Sequence, residues 1–193
     1  MTTFIFDLII GMLIISGISM AALGLYGKRF VGRIPAATPY VLLMFFAAGW
    51  TVLYALELLA FGLSEKIICH NLRFLFLPYF SVLELWLVIA YVKRTDWLRA
   101  RWAAIALIIP VTASVLALTS GYHTLFRYNF SIGTSGPVPI LQYSHSAFFD
   151  LYNAYSLVLI AIAIILLVTE TKKRGTLQEM QTLLILFALV IPA

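Results

Sequence analysis

Apolar residues fall into six long runs along this chain, at about 4–26, 40–62, 71–92, 102–120, 143–169 and 177–193. A helix needs about 20 apolar residues to cross the hydrocarbon core of a bilayer, so each run predicts a membrane span. The fifth run is long enough to tilt or to extend into water. Between the runs lie only short polar gaps. The longest, Gly121 to Gln142, holds Tyr122, His123, Phe126, Arg127, Tyr128 and Asn129, then Gly133-Thr134-Ser135-Gly136-Pro137. Its Gly/Ser/Pro stretch reads as turns. Another gap, Gly62 to Asn71, reads as a short loop. No gap has room for a soluble domain, and there is no heptad repeat or low-complexity tract. The expected fold is therefore an all-α, polytopic helical bundle, a single transmembrane domain over residues 1–193. The sixth run meets the chain's end at Ile191-Pro192-Ala193 with no polar tail. That reads as truncation inside a helix, with a seventh span beyond.

Charge adds an orientation. Ten of the thirteen Lys and Arg residues lie in three clusters: Lys28, Arg29, Arg33; Lys93, Arg94, Arg99, Arg101; and Lys172, Lys173, Arg174. Cytoplasmic loops retain Lys and Arg, so these alternate gaps belong inside and the N-terminus outside. Lys66, Arg73 and Arg127 are left at the outer side. Trp97 and Trp102 flank the second cluster, where interfacial aromatics are expected.

Composition supports a membrane protein. The chain is 63% hydrophobic and 11% charged, with a mean hydropathy of +1.01, whereas soluble domains carry about 25% charged residues. The net charge of +5 is accounted for by topology and by anionic lipid headgroups, because each cluster abuts an apolar run. No nucleic-acid partner is expected. Cys69 is the single cysteine, which excludes an intrachain disulfide and multi-cysteine metal sites. The first Lys is at position 28, so the N-terminal run lacks the basic flank of a cleaved signal and reads as a retained helix.

Charges inside apolar runs are the candidate chemistry. Each costs about 2.5–3.5 kcal/mol at mid-helix on insertion scales, which makes function the default reading. Glu57 lies in the outer part of the second span, Arg73 near the outer end of the third, Glu84 near its middle, and Asp150 in the outer third of the fifth. Ser146, Asp150 and Asn153 recur at helical spacing and form one stripe, with His145 beside it and Tyr152 following. Trp50, Tyr54 and Glu57 do the same on the second span. Arg73 and Glu84 share a face, but eleven residues separate them, roughly 16 Å along a helix. Arg73 must therefore find another partner, and Glu57 or Asp150 could supply it. The functional reading is an outward-facing ligand site formed by Glu57, Arg73, His145, Asp150 and Asn153, with Glu84 deeper. The bland reading is interhelical polar contacts averaging about 0.6 kcal/mol each.

Lesser signals are open to both readings. Pro78 and Pro110 interrupt the third and fourth spans, as hinges or static kinks. Asn129-Phe130-Ser131 matches a glycosylation acceptor on the outer side. Gly17 and Ala21 form a small-xxx-small pair suited to close packing. Phosphate-loop, His-Glu-x-x-His and Gly-x-Ser-x-Gly motifs are absent. None of the lysines, 28, 66, 93, 172 and 173, is mid-helix, as a retinal Schiff base would require. No cofactor or metal is expected.

The order of several loose motifs resembles the seven-transmembrane-helix N-terminal sensor region of prokaryotic sensor histidine kinases. These are Trp50 through Glu57-Leu58, Asn71-Leu72-Arg73 through Pro78, and Ala90-Tyr91-Val92-Lys93-Arg94-Thr95-Asp96-Trp97-Leu98. Ile109-Pro110, Gly121-Tyr122-His123-Thr124-Leu125-Phe126 and Gly136-Pro137 before a Tyr/His-rich helix start follow. The resemblance spans nearly the whole chain from about residue 5. It implies seven helices, an outer N-terminus, and a cytoplasmic PAS or kinase module in the same chain beyond residue 193. It also implies a homodimer, the plasma membrane of a prokaryote, and a small-molecule or membrane stimulus. The chain itself has no phospho-acceptor histidine context and no ATP-binding motif, so this segment is not expected to be an enzyme. The alternative is a small transporter or channel subunit using Glu57, Glu84 and Asp150 as a polar path. No internal repeat supports it.

Overall fold

Long apolar runs with no water to satisfy their backbone must close their hydrogen bonds internally, and helices do so. In the computed structural model, which describes residues 2–92, 100–133 and 139–171, the first five runs are helical. Five helical stretches are long and apolar enough to span a membrane: Phe4–Phe30, Ala37–Leu59, Leu63–Tyr91, Arg101–Leu118 and Ala147–Glu170. The sixth expected span, the Lys172-Lys173-Arg174 cluster and most of the second basic loop lie outside the described residues.

The helices are α1 (Thr2–Gly27), α2 (Ala37–Leu59), α3 (Leu63–Arg73), α4 (Phe80–Tyr91), α5 (Ala100–Leu118) and α6 (Ala147–Thr171). α1 packs along α2. Gly17 belongs to this seam, as its small-xxx-small spacing predicts, and so does Gly27. A Cβ at Gly27 would sit 2.9 Å from Val41 Cγ2. The return between the two helices uses a 3-10 turn over Lys28–Phe30 and Gly32 at φ 81°.

The third span differs from the expected 71–92. It begins at Leu63 and is broken in its middle. The Gly62–Asn71 loop is in fact the first two turns and more of α3. Hydropathy underrates this stretch because of Glu65 and Lys66, yet both charges serve the helix. Glu65 Oε2 accepts from the Gly62 backbone N–H at 2.6 Å, satisfying an orphan donor at the helix start. Lys66 turns inward and is only 1% exposed. After Arg73 the chain unwinds through Phe74–Phe76 and a 3-10 turn, Leu77–Tyr79, that contains Pro78. Ser114 of α5 donates to the Phe74 carbonyl at 2.6 Å, so the break is satisfied from a neighbouring helix. Pro110, by contrast, is accommodated inside α5.

The Gly121–Gln142 gap also departs from a simple run of turns. Strands β1 (Arg127–Gly133) and β2 (Ile140–His145) pair antiparallel, with an irregularity between Tyr128 and Ser131 where Asn129 takes φ 52°. Residues 134–138 lie outside the description. A hairpin is thus added to an otherwise helical molecule, and it packs on α3. The sequence signal was hidden because Arg127-Tyr128-Asn129-Phe130 alternates imperfectly around that irregularity.

α4 packs against α6 and α2, and α5 against α3 and α6. One buried cluster joins Phe74, Ala113, Ala117, Phe126 and Tyr152 beneath the hairpin. A second joins Val88, Val92, Ala163 and Leu167 at the other end of the α4–α6 seam.

Candidate functional site

The break between α3 and α4 brings the candidate charges together. α2 carries Glu57 inward at 4% exposure. Arg73, in the last turn of α3, donates from Nη1 to Glu57 Oε2 at 2.6 Å. His70, one turn earlier, places Nδ1 2.9 Å from the same oxygen. Of the two partners open to Arg73, the structure uses Glu57. The Trp50–Tyr54–Glu57 face lies along this contact. Trp50 and Tyr54 stack with centroids 5.7 Å apart. The Arg73 guanidinium carbon lies 4.3 Å from the Tyr54 centroid and 4.9 Å from that of Trp50. Planar guanidinium favours this combination of ion pairing and stacking. Lys66 approaches the backbone, donating to the Glu57 carbonyl at 2.7 Å at the end of α2. A cation at a helix C-terminus complements the unsatisfied carbonyls there.

Arg127 makes a second buried cationic centre. It opens β1, is 0% exposed, and donates from Nη2 to Asn71 Oδ1 at 2.9 Å. Asn71 in turn donates to Ser120 Oγ at 3.0 Å, tying α3, the end of α5 and the hairpin together. The Phe74 ring lies 4.1 Å from the Arg127 guanidinium carbon, and Phe126, Phe130 and Tyr143 stand around it. Burial pulls the Arg127 guanidinium down to about 10, so it remains charged at neutral pH.

Beside these centres, a cavity of about 440 Å³ lies between α3–α4, α6 and the hairpin. That volume is within the range of small-molecule sites. Arg73, Glu84 and Asn153 line it, together with His70, Ser81 and Tyr143. Glu57 stands one hydrogen bond behind the wall, through Arg73 and His70. Several atoms of the wall residues are buried without a hydrogen-bond partner among the described residues: His70 Nε2, Arg73 Nε, Ser81 Oγ and Glu84 Oε2. Buried polar groups are nearly always satisfied, so this concentration is unusual.

His145 and Asp150 do not join this group. They pair with each other, Nδ1 to Oδ1 at 3.2 Å, with side chains 51% and 62% exposed, and His145 stacks on Phe149. The Ser146–Asp150–Asn153 stripe is divided three ways. Ser146 Oγ donates to the Leu125 carbonyl, Asp150 faces outward, and only Asn153 reaches the cavity wall. Helical spacing grouped these residues, but each meets a different environment, and Ser146 precedes α6.

Sequence reasoning missed His70, Lys66 and Arg127 as members of the charged centre. His70 carried a usable signal, since it precedes Arg73 by one turn on α3. Lys66 and Arg127 carried none, because both read as solvated outer charges. Tyr152, noted beside the Ser146–Asp150–Asn153 stripe, also lines the cavity, as do Ser81 and Ser156, which had no pattern to single them out.

No curated protein and no solved structure matches this chain. A model of the N-terminal 7TM region of histidine kinases, however, matches residues 11–193. The matched stretch contains the Glu57–Arg73 centre, the broken third span and the hairpin. With nearly the whole chain covered, this protein belongs to the family of histidine-kinase N-terminal 7TM sensor regions.

Proposed function

We propose that this chain is the input domain of a sensor histidine kinase whose stimulus is received in the cavity between α3–α4, α6 and the hairpin. The family makes the segment a sensor region and not itself the catalyst. The observation that carries the site is the Glu57–Arg73–His70 network, which is buried and forms the back of a cavity whose wall also holds Ser81 Oγ and Glu84 Oε2, both without partners among the described residues. Cytoplasmic retention of Lys28, Arg29, Arg33 and Arg101 supports an outer hairpin and an outer N-terminus in a prokaryotic plasma membrane. The stimulus then arrives from outside or from the outer leaflet, and the output leaves through the opposite helix ends to a cytoplasmic kinase or PAS module in the same chain, working as a homodimer.

Signal transfer follows from a population shift. A ligand moves an equilibrium between two bundle arrangements only by its differential affinity for them. The unwound Phe74–Tyr79 segment, to which Ser114 of α5 donates, is the element suited to differ between them. The test is stimulus-dependent autophosphorylation of the full-length protein in vesicles. Arg73→Gln and Asn153→Ala should abolish or shift the response while the protein stays folded. An unchanged response in both variants would sink this site.

A further inference from the structure

We infer that the cavity takes a small bipolar amine: a protonated amino group held at Glu84, an aromatic or aliphatic body, and a hydrogen-bond acceptor at the Arg73 end. This rests on the proposed role of the cavity as the stimulus site and adds the chemistry of its occupant.

Three observations converge. First, Glu84 is 4% exposed, lines the cavity, and its Oε2 has no hydrogen-bond partner among the described residues. A buried carboxylate oxygen without a partner is costly, and a ligand ammonium at this carboxylate would relieve that cost. Ser81, one helical turn before it, also lines the cavity, and its Oγ is buried without a partner among the described residues. Second, the two ends of the cavity are chemically unlike. The Arg73 end carries the guanidinium, and the carboxylate there, Glu57, is already engaged by Arg73 and His70. An acceptor fits there and a cation does not. Third, the wall between includes the rings of Phe74, Phe80, Phe149 and Tyr152. Aromatic faces welcome both an apolar body and a nearby cation.

The same geometry argues against a membrane lipid. A lipid would place its headgroup at the hairpin end and run its acyl chain toward Glu84 and Ser81. The most polar part of the deep wall would then face hydrocarbon. A bipolar molecule leaves neither end unmatched.

The test uses the full-length protein in lipid nanodiscs, with empty nanodiscs as background. Phenethylamine, 4-phenylbutylamine and tryptamine would be titrated alongside 2-phenylethanol and 4-phenylbutanol, their uncharged counterparts. At least one amine should bind tenfold or more tightly than its alcohol, and Glu84→Gln should bring that ratio to about one. Tyr122→Ala, at an exposed residue that does not line the cavity, should leave the ratio unchanged. Equal affinities for amines and alcohols, no amine binding above background, or a preference that survives Glu84→Gln would each overturn the proposal. Arg73→Gln separates the two readings. If it abolishes stimulus-dependent phosphorylation while no amine binds, the site stands and only the ligand class fails. If amines bind through Glu84 while phosphorylation ignores the cavity variants, the binding site stands and the sensing role fails.

Discussion

Arg73 and Glu57 meet at 2.6 Å although sixteen residues and a change of helix separate them. Their contact closes the angle between α2 and α3, and both side chains are about nine-tenths removed from solvent, at 12% and 5% exposure. Removing one partner of a buried pair leaves the other uncompensated and costs about 3–5 kcal/mol. Arg73→Met and Glu57→Gln should each lower stability by that order, and the double variant by clearly less than the sum. Reversible unfolding in mixed micelles measures the coupling. Strict additivity would show that the pair is not energetically linked.

Lys66 should matter through the end of α2 and not as a surface charge. It is buried and donates to the Glu57 carbonyl at 2.7 Å. Lys66→Met keeps most of the packing volume and loses the bond, so the expected cost is about 1.5–3 kcal/mol for a hydrogen bond to a charged group. The same unfolding experiment reads it. A cost near zero would place the ammonium in water.

Arg127 sits among four rings, and no carboxylate among the described residues is bonded to it. Arg127→Lys should destabilise more than Arg127→Met, because lysine retains a charge to be desolvated but loses the planar fork that bonds Asn71 and lies against the rings. Burial lowers the Arg127 pKa to about 10. Below that pH the folded state carries the cost of a desolvated cation, and the cost fades as pH rises through about 10 toward the unfolded value. The wild type should therefore gain on Arg127→Met between about pH 8 and pH 10.5, by on the order of 1 kcal/mol. Paired melting curves at the two pH values check the sign.

Gly49 on α2 faces the ring of Phe76, which belongs to the unwound segment. A Cβ there would come within 2.8 Å of Phe76 Cε1. Gly49→Ala must displace that ring and should cost about 1–3 kcal/mol as overpacking, although alanine is the better helix former. Gly49→Ala with Phe76→Leu should recover part of the loss. A stabilised Gly49→Ala would mean that the ring moves freely.

His145 and Asp150 form an exposed pair, and exposed pairs contribute about 0–1 kcal/mol. Asp150→Asn should leave melting within about 0.5 kcal/mol of wild type and leave cavity-dependent signalling intact. Loss of signalling in Asp150→Asn, with stability unchanged, would extend the working site to the surface of the hairpin.

Much of this architecture was legible in the chain before any contact was known. Apolar runs of bilayer length predict helices wherever the backbone must satisfy itself, and five of them are helices here. One face was legible too: helical periodicity aligned Trp50, Tyr54 and Glu57, which meet Arg73 together. Basic clustering gives the proposed orientation by an equally local rule, since charge retention acts on short loops one at a time. All of these are local quantities, computed over one turn, one span or one loop.

What the tertiary structure alone decided is which charges are buried and what they meet. Lys66, Arg73 and Arg127 looked alike as outer basic residues, yet one bonds the end of α2, one pairs with Glu57 and one lies in a box of rings. Asp150 and Glu57 looked alike as intramembrane carboxylates, yet one faces outward and the other holds two helices together. The break after Arg73 made the difference, because its unwound backbone turns the end of α3 toward α2 and opens the cavity above Glu84. Such a break is stable only where another helix satisfies the freed carbonyl. That condition depends on Ser114, forty residues away in the chain, and so on packing that local sequence does not encode.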